Sequence, residues 1–259
     1  MIELHSGEAW MTVHPDEGGR IGKLEVGGQP LLRSDPGGGP MSWGSYPMVP
    51  WAGRVRNGAL TFDGVSCQLP INMPPHSIHG TGFVSSWEVL DAGRDFCDLQ
   101  TDLHWQYGGI ATQHIQLDEH GLTALLSVFA NAVPMPAMVG WHPWFLKPLR
   151  ADLEFGSMYV RDDDYISIPT LVPPRPHPWD DCFVEPQAPL RLHYDGLTVT
   201  VDSDCDHWVV YDMPVDATCV EPQSGPPDAF TIGGATRLEP GEMLQRQMTI
   251  RWASSREQW

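Results

Sequence analysis

The sequence predicts an all-β fold, a large antiparallel β-sandwich with few or no long helices. Several segments alternate apolar and polar residues with period two, which is typical of strands that bury one face. The 26 glycines and 25 prolines among the 259 residues interrupt the chain too often for long helices. Because no tract has the composition of a linker between two cores, we expect a single domain over residues 1–259.

Three runs show the alternation most clearly. In residues 98–107, DLQTDLHWQY, the odd positions from Leu99 to Tyr107 share one face and the polar even positions share the other. Residues 197–202, LTVTVD, and residues 243–252, MLQRQMTIRW, repeat the pattern. Turn sequences separate the predicted strands: RNG at 56–58, FDG at 62–64, EHG at 119–121 and YDG at 194–196.

Two segments are predicted to form long loops. Residues 34–58 hold too many glycines and prolines for regular structure, and residues 169–189 contain the run PPRPHPWDDCF. Loops of that length in a compact domain are usually functional or disordered. Aromatic side chains stand beside charged ones in both segments, which favours a function.

The charge balance excludes two classes of partner. The 33 acidic and 15 basic residues give a formal net charge of −18, so a nucleic acid or an anionic membrane would be repelled. The five cysteines are scattered without metal-binding spacing, which favours reduced thiols. The sequence contains no signal-peptide pattern and no run of about 18 apolar residues. We therefore expect a soluble, cytoplasmic protein.

Two histidines lie in distinctive motifs. His79, in SIHG, is followed by Gly80, which leaves room for a ligand to approach the ring. His142, in GWHPWF, is followed by Pro143, which biases His142 toward an extended backbone. The aromatic neighbours, Trp144 among them, offer the apolar wall that a sugar site needs beside polar donors. By themselves the motifs leave a packed core histidine as the alternative at both positions.

Carboxylates form the second group of candidates. Glu221, in CVEP, follows an apolar run that predicts a strand, and a carboxylate at such a strand-to-loop transition suits a general base because burial raises its proton affinity. The alternative is a solvated surface glutamate. Asp180 and Asp181, in PWDDCF, carry the same ambiguity. The motifs of serine hydrolases, zinc proteases and nucleotide-binding proteins are missing from the sequence.

Taken in order, these motifs resemble the aldose 1-epimerase, or galactose mutarotase, family. The resemblance begins at GGRIGKLEVGGQPLL, ends at LEPGEMLQRQMTIRW and therefore covers nearly the whole chain. It implies a large β-sandwich with the active site on a concave sheet face. It also implies interconversion of the α and β anomers of a free aldose, without a metal or an organic cofactor. The motifs that carry it are PMVPWAGRVRNG, LPIN, HSIHG, NAVPMPAMVGWHPWF, WDDCF and EPQSGPPDAF.

The resemblance also implies roles for individual residues. Glu221 matches the general base that takes the proton of the anomeric hydroxyl, and His142 matches the general acid that protonates the ring oxygen. His79 matches a second histidine near the ring oxygen. Arg54 and Asp180 match sugar-binding residues.

The chain departs from the family pattern in two motifs and in length, and it differs from a sister group in a further motif. It is short for the family, and GWHPWF replaces the commoner asparagine-rich surroundings of the acid histidine. The chain therefore resembles a compact bacterial branch of the family, and galactose specificity does not carry over. Asp181 stands where many members have histidine, so the sequence leaves open whether Asp180 or Asp181 contacts the sugar. A sister group acts on hexose 6-phosphates with additional arginines after the HG motif. TGFVSSW follows Gly80 here and contains no arginine, which favours a neutral sugar. The alternatives are a hexose-6-phosphate 1-epimerase and a sugar-binding or sensing protein without turnover.

Overall fold

The computed structural model describes residues 1–35 and 37–254, which form an antiparallel β structure with very little helix. The first thirteen strands are β1 Ile2–Ser6, β2 Ala9–His14, β3 Arg20–Val26, β4 Gln29–Pro30, β5 Ser45–Met48, β6 Arg54–Val55, β7 Ala59–Phe62, β8 Val65–Gln68, β9 Ser77–Ile78, β10 Glu88–Ala92, β11 Phe96–Asp102, β12 Ile110–Asp118 and β13 Gly121–Phe129. The remaining strands are β14 Met135–Ala137, β15 Gly140–Leu146, β16 Arg150–Asp152, β17 Phe155–Arg161, β18 Ser167–Val172, β19 Asp180–Pro186, β20 Leu190–His193, β21 Leu197–Ser203, β22 His207–Tyr211, β23 Ala217–Gln223, β24 Thr236–Leu238 and β25 Met243–Ser254.

Most strands belong to two large sheets. The larger sheet has eleven strands in the order β1-β2-β3-β5-β15-β23-β22-β19-β17-β18, with β4 paired to β3. The smaller sheet has eight strands in the order β10-β11-β12-β13-β25-β21-β20-β16. The short pairs β6 with β9, β7 with β8 and β14 with β24 lie outside both sheets. Neighbours in the larger sheet are often distant in sequence, so its centre collects residues from across the chain.

The main hydrophobic core draws side chains from both large sheets. Val13 and Ile21 of the larger sheet share it with Ile115, Leu126 and Ile250 of the smaller one. These side chains come from alternate positions of their strands, which is how a two-layer β structure buries one face of each sheet. The predicted β-sandwich with few helices is therefore confirmed.

The predicted alternating strands are present, with one shortened end. Residues 197–202 and 243–252 lie within β21 and β25, whereas the strand predicted over 98–107 ends at Asp102. Beyond Leu103 the chain turns instead of continuing the strand. The Trp105 indole donates a hydrogen bond to the backbone oxygen of Gly108 at 2.7 Å, which closes that turn.

The two predicted long loops are wrong in part, because each contains strands. The segment 34–58 includes β5 and β6, and the segment 169–189 includes the end of β18 and all of β19. All four residues of β5 are buried. A strand buried on both faces shows no polar alternation, so its sequence lacks the signal that marks half-buried strands.

Helical structure is confined to short turns. The one α-helix of the described residues, α1 Ala229–Ile232, has four residues. Single 3₁₀ turns occur at Pro15–Glu17, Arg56–Gly58 and Gly82–Val84. Over residues 1–35 and 37–254, no helix combines the length and apolar character that a membrane crossing requires.

Candidate active site

A cleft of about 330 Å³ lies over the centre of the larger sheet. Strands β5, β15, β23, β22 and β19 lie side by side beneath it, and the β6 and β9 segments flank it. The structure brings all six site residues predicted from the sequence to this cleft: Arg54, His79, His142, Trp144, Asp180 and Glu221.

His142 and Glu221 face each other across two adjacent strands. The register that pairs Gly140 with Gln223 and Trp144 with Cys219 places His142 directly opposite Glu221. The Nε2 atom of His142 lies 3.2 Å from Oε1 of Glu221, and both side chains are almost fully buried. Contrary to the strand-to-loop position predicted from the sequence, Glu221 lies inside β23. Its position is therefore fixed by sheet pairing on both sides.

The imidazole of His142 is held between two aromatic rings. Tyr46, its partner on β5, stacks on it at a centroid distance of 4.8 Å, and Trp144 stacks at 5.2 Å. Trp141 and Phe145 point the opposite way into the main core because side chains alternate along β15. The alternation separates a core face from a cleft face on one buried strand, so a buried histidine here is still available to a ligand.

Burial shifts the proton affinities of this pair in opposite directions. Desolvation raises the pKa of Glu221 well above its ordinary value, and the charge of Asp180 raises it further. Desolvation lowers the pKa of His142 to about 3. Both shifts favour the uncharged forms, in which the pair holds one proton, on the carboxyl group.

His79 is positioned by a close backbone approach. Its backbone lies in the left-handed region, and its Nδ1 atom accepts a hydrogen bond from the backbone N–H of Gly53 at 3.3 Å. Burial lowers the pKa of His79 well below its ordinary value, so the ring is neutral. A neutral ring that accepts at Nδ1 carries its hydrogen on Nε2. Because His79 lines the cleft, that N–H is a donor for a ligand.

Gly80, which follows His79, has no room for a side chain. A side chain at Gly80 would place its Cβ atom 1.8 Å from the backbone oxygen of Val49, and Gly80 has a φ of +77°. A backbone conformation and a contact of this kind admit only glycine. Gly80 therefore sets the chain path that presents His79, rather than simply leaving room around it.

Asp180 and Asp181 take different environments. Asp180 lines the cleft, where its Oδ2 atom lies 3.7 Å from Nη2 of Arg54. Asp181 lies outside this cleft and is held by two arginines, at 2.8 Å from Arg161 and 2.6 Å from Arg175. Burial raises the pKa of Asp180, and Arg54 opposes that shift. Of the two candidates left open by the sequence, the geometry selects Asp180 as the one that can reach a ligand in the cleft.

Trp144 lines the cleft, but other side chains already contact its ring. One face stacks on His142, and the guanidinium carbon of Arg33 lies 5.2 Å from the ring centre. Tyr211 meets the ring edge-on at a centroid distance of 5.9 Å. The broad apolar wall expected from Trp144 is therefore reduced to the part of the ring that borders the cleft.

Sequence reasoning missed several residues of the cleft. Gln223 is fully buried and donates from Nε2 to Oε2 of Glu221 at 3.3 Å, while its Oε1 atom has no partner. It stands two positions after Glu221 on the same face of β23, and that spacing could have identified it. Tyr46 and Tyr211 also line the cleft. They come from strands whose position beside β15 and β23 has no signal in the sequence.

One group of potential metal ligands lies at the cleft among the residues that the structure describes. A ligand atom from each of His142, Cys219 and Glu221 lies within 4.8 Å of the other two, and all three residues are buried. The first and last of these are also the candidate acid and base.

Comparison with known proteins finds a matching protein family, a relative in Escherichia coli and solved structures with the same fold. The family model described as aldose 1-epimerase matches residues 1–251. The protein YphB of Escherichia coli K12 is 26% identical over 270 residues, covering 91% of this chain and 93% of YphB. A galactose mutarotase-like protein from Clostridium acetobutylicum shares the fold at a TM-score of 0.87 and 16% identity, with 97% and 94% of the two chains covered. A galactose 1-epimerase from Lactobacillus acidophilus NCFM shares the fold at a TM-score of 0.80 and 16% identity, with 96% of this chain and 92% of that chain covered.

Proposed function

Because this chain belongs to the aldose 1-epimerase family, we propose that it interconverts the α and β anomers of a neutral free aldose. Glu221 is the general base and His142 the general acid of the proposed reaction. The observation that carries the proposal is the 3.2 Å approach of His142 Nε2 to Glu221 Oε1 at the floor of one cleft. Two proton carriers at that spacing suit a reaction that moves one proton at each of two neighbouring oxygens.

Ring opening needs one proton removed and one delivered. Glu221, as the carboxylate, takes the proton of the C1 hydroxyl, and His142, as the imidazolium, gives a proton to the ring oxygen. The C1–O5 bond breaks with its electron pair on O5, and the C1–O1 bond becomes the aldehyde double bond. The pair then holds a carboxylic acid and a neutral imidazole. These are the uncharged forms that burial favours, so ring opening regains the free energy needed to form the charged pair from the resting one.

Reclosure runs the same transfers backwards. The open-chain aldehyde turns by about half a turn around C1–C2 and presents its other face to the C5 hydroxyl. His142 takes the proton of that hydroxyl, and Glu221 returns a proton to the aldehyde oxygen. The product is the other anomer, and both groups regain their starting protonation states. The entry state requires only that one proton pass between Glu221 and His142 as the sugar binds.

Three further residues suit recognition of the sugar. The Nε2–H of His79 is a donor for the ring oxygen, and Arg54 and Asp180 offer a donor and an acceptor for ring hydroxyls. Arg54 is the one Lys or Arg among the described residues that line the cleft, and Asp180 offsets its charge. A phosphate would find no unpaired cation there, which supports a neutral sugar over a sugar phosphate.

The direct test is polarimetry of freshly dissolved sugars with and without the protein. We expect faster equilibration of at least one sugar among α-glucose, α-galactose and several pentoses. Glu221→Gln should lower kcat by about 10²–10⁴-fold, because it keeps the shape of the side chain and removes the base. Glu25→Gln, which changes a glutamate three strands away in the same sheet, should leave kcat unchanged.

Two outcomes would contradict the proposal. If no sugar in the panel equilibrates faster than in buffer, the chain lacks the activity. If a sugar changes the fluorescence of the 11 tryptophans without faster mutarotation, the chain is a sugar-binding protein without turnover.

A further inference from the structure

A thiol lies directly beside the proposed acid and base. Cys219 precedes Glu221 by two positions on β23, so both side chains project from the same face. Its neighbours in register are Trp144 on β15 and Tyr211 on β22, both of which line the cleft. Cys219 is fully buried and forms no disulfide. The proposed reaction gives this thiol no task.

The three side chains together offer the donor set of a zinc site. Imidazole nitrogen, thiolate sulfur and carboxylate oxygen are the protein ligands that Zn²⁺ accepts, and a site with three of them leaves the fourth tetrahedral position open. Ligand atoms at bond lengths of about 2.0–2.3 Å stand roughly 3.3–3.8 Å apart around one tetrahedral ion. His142 and Glu221 already meet at 3.2 Å. With all three ligand atoms within 4.8 Å, a side-chain movement of about 1 Å completes the geometry.

We propose that His142, Cys219 and Glu221 form an inhibitory binding site for Zn²⁺ and other thiophilic divalent cations. The ion reaches the site through the cleft that His142 and Glu221 line, and water occupies its fourth position on that side. On binding, the Cys219 thiol and the Glu221 carboxyl group each lose their proton to solvent. With both proton carriers bound to metal, the sugar and the ion exclude each other.

The surrounding charges permit a cation to enter. Arg54 shares the cleft, but Asp180 lies 3.7 Å from its guanidinium and offsets the charge. Elsewhere, histidine and carboxylate pairs such as His114 with Asp98 lie nearer the surface. Such pairs supply no sulfur, so a thiolate signal separates the proposed site from them.

Metal binding by the full chain tests the site without any reference to mutarotation. Addition of Co²⁺ should produce a near-ultraviolet thiolate-to-cobalt charge-transfer band, and Zn²⁺ should abolish the band by displacement. Cys219→Ala should remove the band and weaken Zn²⁺ binding, measured by calorimetry, by at least about 100-fold. The loss should exceed the roughly 10–100-fold that follows removal of an outer-shell partner, because a direct ligand is lost.

Cys97→Ala is the matched control, since Cys97 is equally buried but lies in the smaller sheet. It should keep both the band and the affinity. If Cys219→Ala does not fold, Glu221→Gln provides a second test that leaves the thiol in place. It should also weaken Zn²⁺ binding, because it removes a direct ligand. Absence of a thiolate band in the wild type, or unchanged affinity in Cys219→Ala, would overturn the proposal.

The inhibitory effect rests on the proposed function, and a separate arm measures it. Zn²⁺ should slow mutarotation, excess sugar should relieve the inhibition, and a chelator should restore the full rate. Cys219→Ala should keep its activity and lose the sensitivity to Zn²⁺. If no sugar is turned over, the cobalt band and the calorimetry still decide whether the metal site exists.

Discussion

Asp180 and Asp181 are neighbours in the chain but belong to different parts of the structure. Consecutive side chains of a strand point to opposite faces, so Asp180 enters the cleft while Asp181 pairs with Arg161 and Arg175. Two adjacent carboxylates therefore serve different purposes. One is free to meet a ligand, and the other links β19 to the segments on either side of β18.

Substitution at these two positions should separate binding from stability. Asp180→Asn should raise KM about tenfold or more, since a hydrogen bond to a charged group contributes about 1.5–3 kcal/mol. Asp181→Asn should leave KM unchanged and lower the free energy of unfolding by at least about 1 kcal/mol. The loss should stay below the roughly 3–5 kcal/mol of a fully buried pair, because Arg161 and Arg175 keep contact with solvent. Polarimetry and urea unfolding measure the two effects, and the reverse pattern would refute the assignment.

The pH dependence of kcat/KM should report the uncharged His142 and Glu221 pair. The pair is active when it holds one proton. Acid inactivates it only when His142 gains a second proton, at a pKa of about 3 instead of the usual 6.5. Base inactivates it only above the raised pKa of Glu221, whose ordinary value is 4.5.

Asp180 also titrates in the cleft with a raised pKa, so the profile is measured in Asp180→Asn, where we expect it to be flat through pH 4.5 and pH 6.5 after subtraction of the spontaneous rate. An inflection of kcat/KM near either ordinary value would show that the pair is charged in the free protein. His79→Gln, which removes the other cleft histidine, should lower the rate and leave the profile flat.

At the scale of residues, the sequence predicted which residues line the cleft better than it predicted the side chains that surround them. The motifs alone left each histidine open between a packed and a catalytic position, and the structure shows that at His142 packing and access to the cleft occur together. It is buried between Tyr46 and Trp144 and also faces Glu221. Gln223 was missed because a glutamine two positions from a carboxylate is informative only once the strand is known.

At the scale of elements, burial on both faces decided which strands could be predicted. β11, β21 and β25 alternate between buried and more exposed positions over most of their length, and each was predicted. β5 is buried at every position, which removes the period-two signal from its sequence. β23 is also fully buried, but its apolar run still predicted a strand, with Glu221 at its end instead of inside it. The short segments around β6 and β9 are held by side-chain hydrogen bonds, such as those of Asn72 to Ile78, that no local pattern encodes.

The turn after β9 provides a test at this scale. Gly80 and Gly64 have nearly equal φ values, +77° and +76°, but only Gly80 has a close neighbour on the side where a Cβ would stand. Gly64→Ala should cost about 1–2 kcal/mol of unfolding free energy for the left-handed conformation alone. Gly80→Ala should cost about 2–5 kcal/mol, because contact with Val49 adds an overpacking cost of about 1–3 kcal/mol to the same left-handed cost.

Urea unfolding of both variants measures the difference, and mutarotation measures the accompanying displacement of His79. Equal losses of stability in the two variants would show that space at Gly80 plays no part.

At the scale of the whole molecule, the order of strands in the larger sheet creates the cleft. Its residues come from positions 41–227 of the chain, and β5, β15, β23, β22 and β19 become neighbours in an order that differs from their order in sequence. Hydrophobic patterns predict strands but not the order in which they pair. For that reason the architecture of the site followed from the resemblance of ordered motifs, while composition and periodicity gave only the β class. The single domain over residues 1–259 stays a prediction.

The raised pKa of Glu221 should also make the free energy of unfolding depend on pH. Glu221 has a higher pKa in the folded protein than its ordinary value of 4.5, so the folded state holds a proton that the unfolded state releases. This contribution is complete below pH 4.5 and is lost as the pH rises toward the folded pKa. Relative to Glu221→Gln, wild-type unfolding free energy should fall by about 1.4 kcal/mol per pH unit above that point. Denaturant unfolding over a pH series measures it, and a constant difference would mean that Glu221 titrates normally.

The stacking of Tyr46 and Trp144 on His142 bears on whether the protein or the sugar moves during turnover. Tyr46 and Trp144 both stack on the His142 ring, so rotation of the ring would break both contacts, and we expect its Nε2 atom to keep one direction. In the proposed reaction both anomers therefore meet the same nitrogen, and only the freed end of the sugar swings between them. Because a catalyst lowers the barrier equally in both directions, the proposed reaction hastens the approach to the anomer ratio that water alone sets.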